Sequence, residues 1–241
     1  EDYSSVVMRC WKGHFGEVES INVNVGPMSQ PCNLPPQKIP NDINWDLWLG
    51  PAPWAPYNSN RCDGNFETDG NSWRSYSDYS GGGLTDWGAH HFGGATFALD
   101  VRDLQPNEII LHEDDGEKHI SFNYSNGKKI THNRPGTGNM RVGGTGAKIE
   151  PSPKPIPIYA DNDGNGGRGS IDGDFIHCIK TRKKPFRNIE HAVNTMVLPH
   201  MATIAYTLNR SLKWDADKQE FLGDIEANRL ISVARREPWQ I

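Results

Sequence analysis

The 241-residue sequence lacks the features that mark several large classes of protein. No apolar run approaches the roughly 20 residues that a membrane-spanning helix requires, which excludes a helical membrane protein. No basic face is available for nucleic acid: the net charge is −5 with signs well mixed, and the one cationic run, residues 180–187, falls where a helix is expected to end, where it complements the helix dipole. Only four cysteines occur, Cys10, Cys32, Cys62 and Cys178, without metal-ligand spacing and too sparse for a disulfide framework; Cys32 with Cys62 is the one disulfide candidate. No signal peptide is visible before the first folded-looking segment, so the compartment is not legible, and the chain opens like the middle of a longer protein.

What is present is glycine and proline, 25 and 17 residues, with 35% hydrophobic residues. That balance points to a loop-rich soluble protein, and no polar linker divides the chain, so one domain over 1–241 is expected. Residues 5–12 place Val6, Val7, Cys10 and Trp11 at helical spacing and stop at Gly13. Residues 18–25 alternate Ile21, Val23 and Val25 with Asn22 and Asn24, the period of a half-buried strand. Periodicity then vanishes over 26–80, a long loop in which prolines alternate with Trp45, Trp48, Trp54 and Trp73. A loop of this length in a compact domain is usually functional. Trp45, Trp48 and Trp54 are read as anchors that pin it to the surface.

The chain is organised around Gly81-Gly82-Gly83-Leu84-Thr85-Asp86-Trp87-Gly88-Ala89-His90-His91. Three glycines permit positive φ and close approach to a flat ligand, and a helix over 84–99 follows with Thr85 or Asp86 near its start. Asp86 and His90, four residues apart, share one helix face, so a carboxylate could hold the imidazole tautomer and favour its charged form. That is a general acid/base pair in outline. The plain alternative is a glycine turn and an ordinary helix. Trp73 and Arg74 precede the glycines and would be carried to wherever Asp86 and His90 point; an aromatic face and a guanidinium suit a sugar or hydroxy-acid substrate.

Strands are expected at 109–113, 120–124 and 128–132, the last two joined by Asn126-Gly127, a strong hairpin signal. Residues 140–142 and 147–150 extend the meander. Helices lie before and after these strands rather than between them, so the class is α+β, an open antiparallel sheet with helices on one face. Such a sheet leaves an apolar face needing cover, which predicts self-association.

Gly164-Asn165-Gly166-Gly167-Arg168-Gly169 matches the dinucleotide pattern, but no strand precedes it and it is set aside. Asp161, Asp163, Asn165 and Asp172 have calcium-loop spacing without the flanking helix or closing Glu, and a simple Asx/Gly loop explains them better. Residues 171–182 form a helix with Ile171, Phe175 and Ile179 on one stripe. Asn188 caps a longer helix to Leu208, kinked at Pro199, whose apolar face uses Ile189, Val193, Met196, Val197, Ile204 and Leu208. Its His191 and His200 read as surface or hydrogen-bonded structural groups. A strand at 212–214 and a helix over 224–232 close the chain.

The glycine-to-histidine run, together with Asn44-Trp45-Asp46-Leu47-Trp48-Leu49-Gly50-Pro51-Ala52-Pro53 and the tail around Leu212-Lys213-Trp214-Asp215 and Arg236-Glu237-Pro238-Trp239, resembles the C-terminal α/β domain of the Gfo/Idh/MocA oxidoreductases. The resemblance covers nearly the whole chain. It implies NAD(P)-dependent chemistry on CH–OH groups of a sugar or cyclitol, Asp86 and His90 as the catalytic pair beside the substrate, Trp73, Arg74 and His91 as substrate contacts, and a homo-oligomer made through one sheet face. Two departures accompany it. The family's usual Asp three residues after the histidine is Gly93 here, followed by Gly94, at about 1 kcal/mol of helix stability per glycine. The nicotinamide-binding Rossmann domain and its Glu-Lys-Pro lysine are not in this sequence, so the 241 residues are expected not to bind NAD(P) or to be redox-competent alone. The competing functions are a redox-inactive binding or oligomerisation module and a lyase or hydrolase acting on oxidised sugars.

Overall fold

The computed structural model describes residues 3–62, 72–133, 140–144 and 171–239. Seven strands form one sheet: β1 (Val18–Val23), β2 (Glu108–Asp114), β3 (Glu117–Asn123), β4 (Lys129–His132), β5 (Met140–Gly144), β6 (Leu212–Asp215) and β7 (Glu220–Phe221), in the order β5-β1-β4-β3-β2-β6-β7. All neighbouring pairs are antiparallel except β1 with β4. The β3–β4 hairpin turns at Asn126-Gly127 as expected, with Gly127 at φ +82° and its N–H bonded to the Tyr124 carbonyl at 3.0 Å. The fold is therefore α+β.

Three helices, α1 (Tyr3–Trp11), α4 (Gly83–Ala98) and α6 (Ile189–Leu208), build the core with one sheet face. Alternation selects that face: Ile21 and Val23, Ile109, Ile120 and Phe122, and Ile130 are fully buried and in register across β1, β4, β3 and β2. Phe92 of α4 meets Phe122 edge-on at 5.8 Å between centroids. The opposite face carries Asn22, Thr131, Ser121, His112 and His119. His112 bonds Ser121 Oγ at 2.7 Å and stacks on His119 at 4.6 Å. In β1, β3 and β4 the second face is thus polar rather than the apolar surface expected, and Asn22, His119, Ser121 and Thr131 on it are buried.

The later elements follow in the expected order. Helices α5 (Ile171–Thr181) and α6 separate β5 from the last two strands, and α7 (Ile225–Arg229) follows with Asp224 as its cap. Helix α6 begins at the Asn188 cap, whose side chain accepts the His191 N–H, and passes through Pro199 unbroken. Its buried side is made by Thr195, Leu198, Met201, Ala202 and Ala205, while Ile189 and Val193 are exposed, as are Phe175 and Ile179 of α5. The expected face of α6 holds at Ile204, which is buried, and at Val197 and Leu208, which pack against the core, but not at Ile189 and Val193, since small residues let α6 approach α4 closely. The expected stripe of α5 fails at Phe175 and Ile179. His191 is structural, bonded to Asp103 at 2.9 Å.

The long loop holds two short helices, α2 (Trp45–Leu49) and α3 (Ser59–Cys62). Trp45 stacks on Trp48 at 4.8 Å and meets Tyr57 edge-on, a small second core that confirms two of the three anchors. Trp54 is 70% exposed and anchors nothing. Arg236 ties the chain's end to this loop, donating to the carbonyls of Asp46 at 3.0 Å and Gly50 at 2.8 Å. Cys32 and Cys62 do not form a disulfide with one another.

One buried base sets a pH response. His132 of β4 is enclosed by Phe92 and Tyr206, accepting or donating at 2.9 Å to the Tyr206 hydroxyl, and burial lowers its pKa to about 4. The unfolded chain takes up a proton near pH 6.5 where the fold does not, so stability is full above that value and falls as pH drops from 6.5 toward 4. Urea midpoints across that window should show the slope. His132→Gln should reduce it by up to one proton.

Candidate functional site

The glycine turn is explained by packing rather than by a ligand. Gly82 sits at φ +72°, and a Cβ there would stand 2.5 Å from the Ser29 nitrogen and 2.8 Å from the Pro27 oxygen. At Gly83 it would meet the Gly26 Cα at 2.8 Å. Ser29 N–H donates to the Gly81 carbonyl and Leu84 N–H to the Pro27 carbonyl, each at 3.2 Å. The run is a backbone junction, and the flat partner it approaches is the segment 26–29 of its own chain.

That junction sets the end of β1 against the first turns of α4. Trp87 and His91, one helical turn apart, face Asn24, Val25 and Gly26 across an open recess of about 370 Å³. Trp87 is 55% exposed, its ring 5.7 Å from that of His90 and 6.3 Å from that of His91. Burial, followed by the charge of the neighbouring His90, lowers the His91 pKa below the ordinary imidazole value. His90 itself is exposed.

Asp86 does not bond His90. Its carboxylate forms an ion pair with Arg74, which arrives on the one-turn helix Trp73–Ser75 and lies 5.0 Å over the Trp73 ring. The guanidinium is a permanently charged, fork-shaped partner for the carboxylate. The expected hydrogen-bonded Asp86–His90 pair is corrected to an Arg74–Asp86 pair with His90 one turn further on, leaning on Trp87. With both partners partly exposed, the ion pair contributes at most about 1 kcal/mol to the fold. The pair presents donors and acceptors together beside the Trp73 ring.

The sequence missed Trp87, which looked like a helix residue between two more interesting neighbours. Its exposure beside the recess was signalled only by an indole next to Gly88 on an otherwise buried helix. Position 93 faces α6, where a Cβ would make ordinary contact with Thr195 Cγ2 at 3.7 Å. Gly93→Ala should therefore raise stability by about 0.5–1 kcal/mol, read from the urea midpoint, since it removes helix-interior glycine entropy without a clash. Asp161, Asp163 and Asn165 and the pattern Gly164 to Gly169 lie outside the described residues, whereas Asp172 is an exposed residue in the first turn of α5. Among the described residues no group of three or more His, Cys, Asp or Glu could hold a metal ion, and no helix is long and apolar enough to cross a membrane.

The pattern of the oxidoreductase family C-terminal alpha/beta domain matches residues 28–241. The chain belongs to this Gfo/Idh/MocA family. No curated protein matches it. Among solved structures, this Gfo/Idh/MocA domain is similar to an NAD-binding protein from Listeria innocua, at 12% identity and a TM-score of 0.47 over 87% of this chain and 60% of that one. It is also similar to an aldose-aldose oxidoreductase from Caulobacter crescentus, at 14% identity and a TM-score of 0.48 over 88% and 60%. The chain thus spans about 60% of the length of these structures, and likenesses so distant carry no ligand across.

Proposed function

We propose that residues 1–241 act as one substrate-binding and dimerisation unit of a NAD(P)-dependent oxidoreductase that works on a hydroxyl of a sugar or cyclitol. The observation that supports this most is the placement of the family's Asp-x-x-x-His pair: Asp86 neutralised by Arg74, and His90 exposed on the next turn beside Trp87. His90 is assigned the exchange of the hydroxyl proton. The Arg74–Asp86 pair and His91 are assigned hydroxyl recognition, and Trp73 and Trp87 the apolar ring faces. Among the described residues, the glycine turn at 81–83 is filled by the chain's own backbone at 26–29 and offers no cradle for a phosphate. By the family resemblance, the nicotinamide would be held by a Rossmann domain.

Joining the chain to a nicotinamide-binding domain of the family, and following reduced nicotinamide with a panel of aldoses and inositols, tests the proposal. Saturable turnover with one of them is expected. Its absence with every polyol would favour the second reading, a redox-inactive binding module, which the missing carboxylate at Gly93 supports.

A further inference from the structure

Arg61 is a buried cation without a counter-charge among the described residues. It lies on the four-residue α3, is 3% exposed, and donates from Nη1 to the Tyr79 hydroxyl at 2.9 Å. Its Nε is buried with no hydrogen-bond partner, and among the described residues no carboxylate lies within ion-pairing distance of the guanidinium. Of five N–H donors in a rigid fork, the protein thus engages one. The groups around it are neutral: burial pushes the Cys32 thiol and the Tyr76 and Tyr79 hydroxyls upward in pKa, against the pull of Arg61 itself. Asp78 acts on Cys32 and Tyr79 but stands exposed. Burying a charge in this way is costly unless an anion with matching hydrogen-bond acceptors compensates it.

We propose that Arg61 anchors an anion site, its free fork taking the carboxylate or phosphate of a small polar ligand. A planar fork matches either group in bidentate fashion. The turn that bears Arg61 packs against the turn Trp73–Ser75, so a ligand seated there lies next to Trp73 and Arg74, and an acidic or phosphorylated sugar combines the two chemistries. The site stands apart from the redox proposal, because its test reads binding alone.

Titration calorimetry of the chain at fixed ionic strength would compare glucuronate, its neutral isostere glucuronamide and inorganic phosphate. Glucuronate or phosphate should bind at least about ten-fold more tightly than glucuronamide. Preference for glucuronate assigns a carboxylate ligand, and preference for phosphate a phosphoryl one. Arg61→Gln should abolish the preference. Should that variant not fold, Arg61→Lys, which keeps the charge and loses the fork, should weaken anion binding about ten-fold. Equal binding of all three probes, or anion affinity unchanged in a folded Arg61 variant, would overturn the assignment.

Discussion

His90→Ala, in the chain joined to a nicotinamide-binding domain, should lower kcat by roughly 10² to 10⁴ while leaving KM for the polyol within a few-fold of its starting value. The exposed imidazole makes no hydrogen bond to Asp86, so its removal takes away a proton acceptor and little binding. Asp86→Asn should act differently from the usual acid/base dyad. It strands the Arg74 guanidinium rather than altering His90 directly, so its main effect should be a raised KM, with the pH profile of kcat still governed by one imidazole. Steady-state kinetics of the two variants separate the roles. Turnover by His90→Ala equal to that of the unaltered protein would remove the catalytic assignment altogether.

The second large effect is expected at Gly82. An alanine there meets two penalties: about 1–2 kcal/mol for a left-handed backbone with a Cβ, and about 1–3 kcal/mol for forcing that Cβ into the 27–29 backbone. Its Cβ would fall 2.5 Å from the Ser29 nitrogen, a contact that only backbone movement relieves. Urea unfolding should show a loss of about 2–5 kcal/mol, the sum of those two costs. The same substitution should misalign α4 with the end of β1, so the Trp87–His91 recess should change shape even where the protein still folds. Near-native stability of Gly82→Ala would mean that the 26–29 junction yields more easily than its geometry indicates.

Much of the architecture was legible because its signals are local. The alternation of Ile21, Val23 and Val25, the Asn126-Gly127 turn, and the Asn188 cap each specify an element through neighbours a few residues away, and each appears in the fold. Helix boundaries followed within one or two residues at α1, α4 and α5. What escaped was set by distant partners. The outward rotation of Ile189 and Val193 depends on how closely α4 lets α6 approach, and the short α2 is held by aromatic stacking and by Arg236 from the far end of the chain. At the site, spacing placed Asp86 and His90 on one helix face, yet it could not reveal that Arg74, twelve residues upstream, would claim the carboxylate. Arg61 gave no pattern at all: a lone arginine in an aperiodic loop becomes informative only once its burial, with no counter-ion among the described residues, can be seen.

The position of β1 has a kinetic consequence. It lies between β4 and β5, with Ile21 opposite both Ile130 and Val142, so each of its ladders closes a loop of more than one hundred residues. Strands β2, β3 and β4 pair with near neighbours along the chain and can assemble early, whereas β1 must wait for a closure whose entropy is lost before any contact compensates it. Refolding should therefore pass through a stage in which the meander is formed and the strand that completes the sheet, along with the recess at its end, is still absent. During that interval the edge of β4 stands open, and a β1 strand from another molecule could pair there instead, which would link refolding yield to protein concentration.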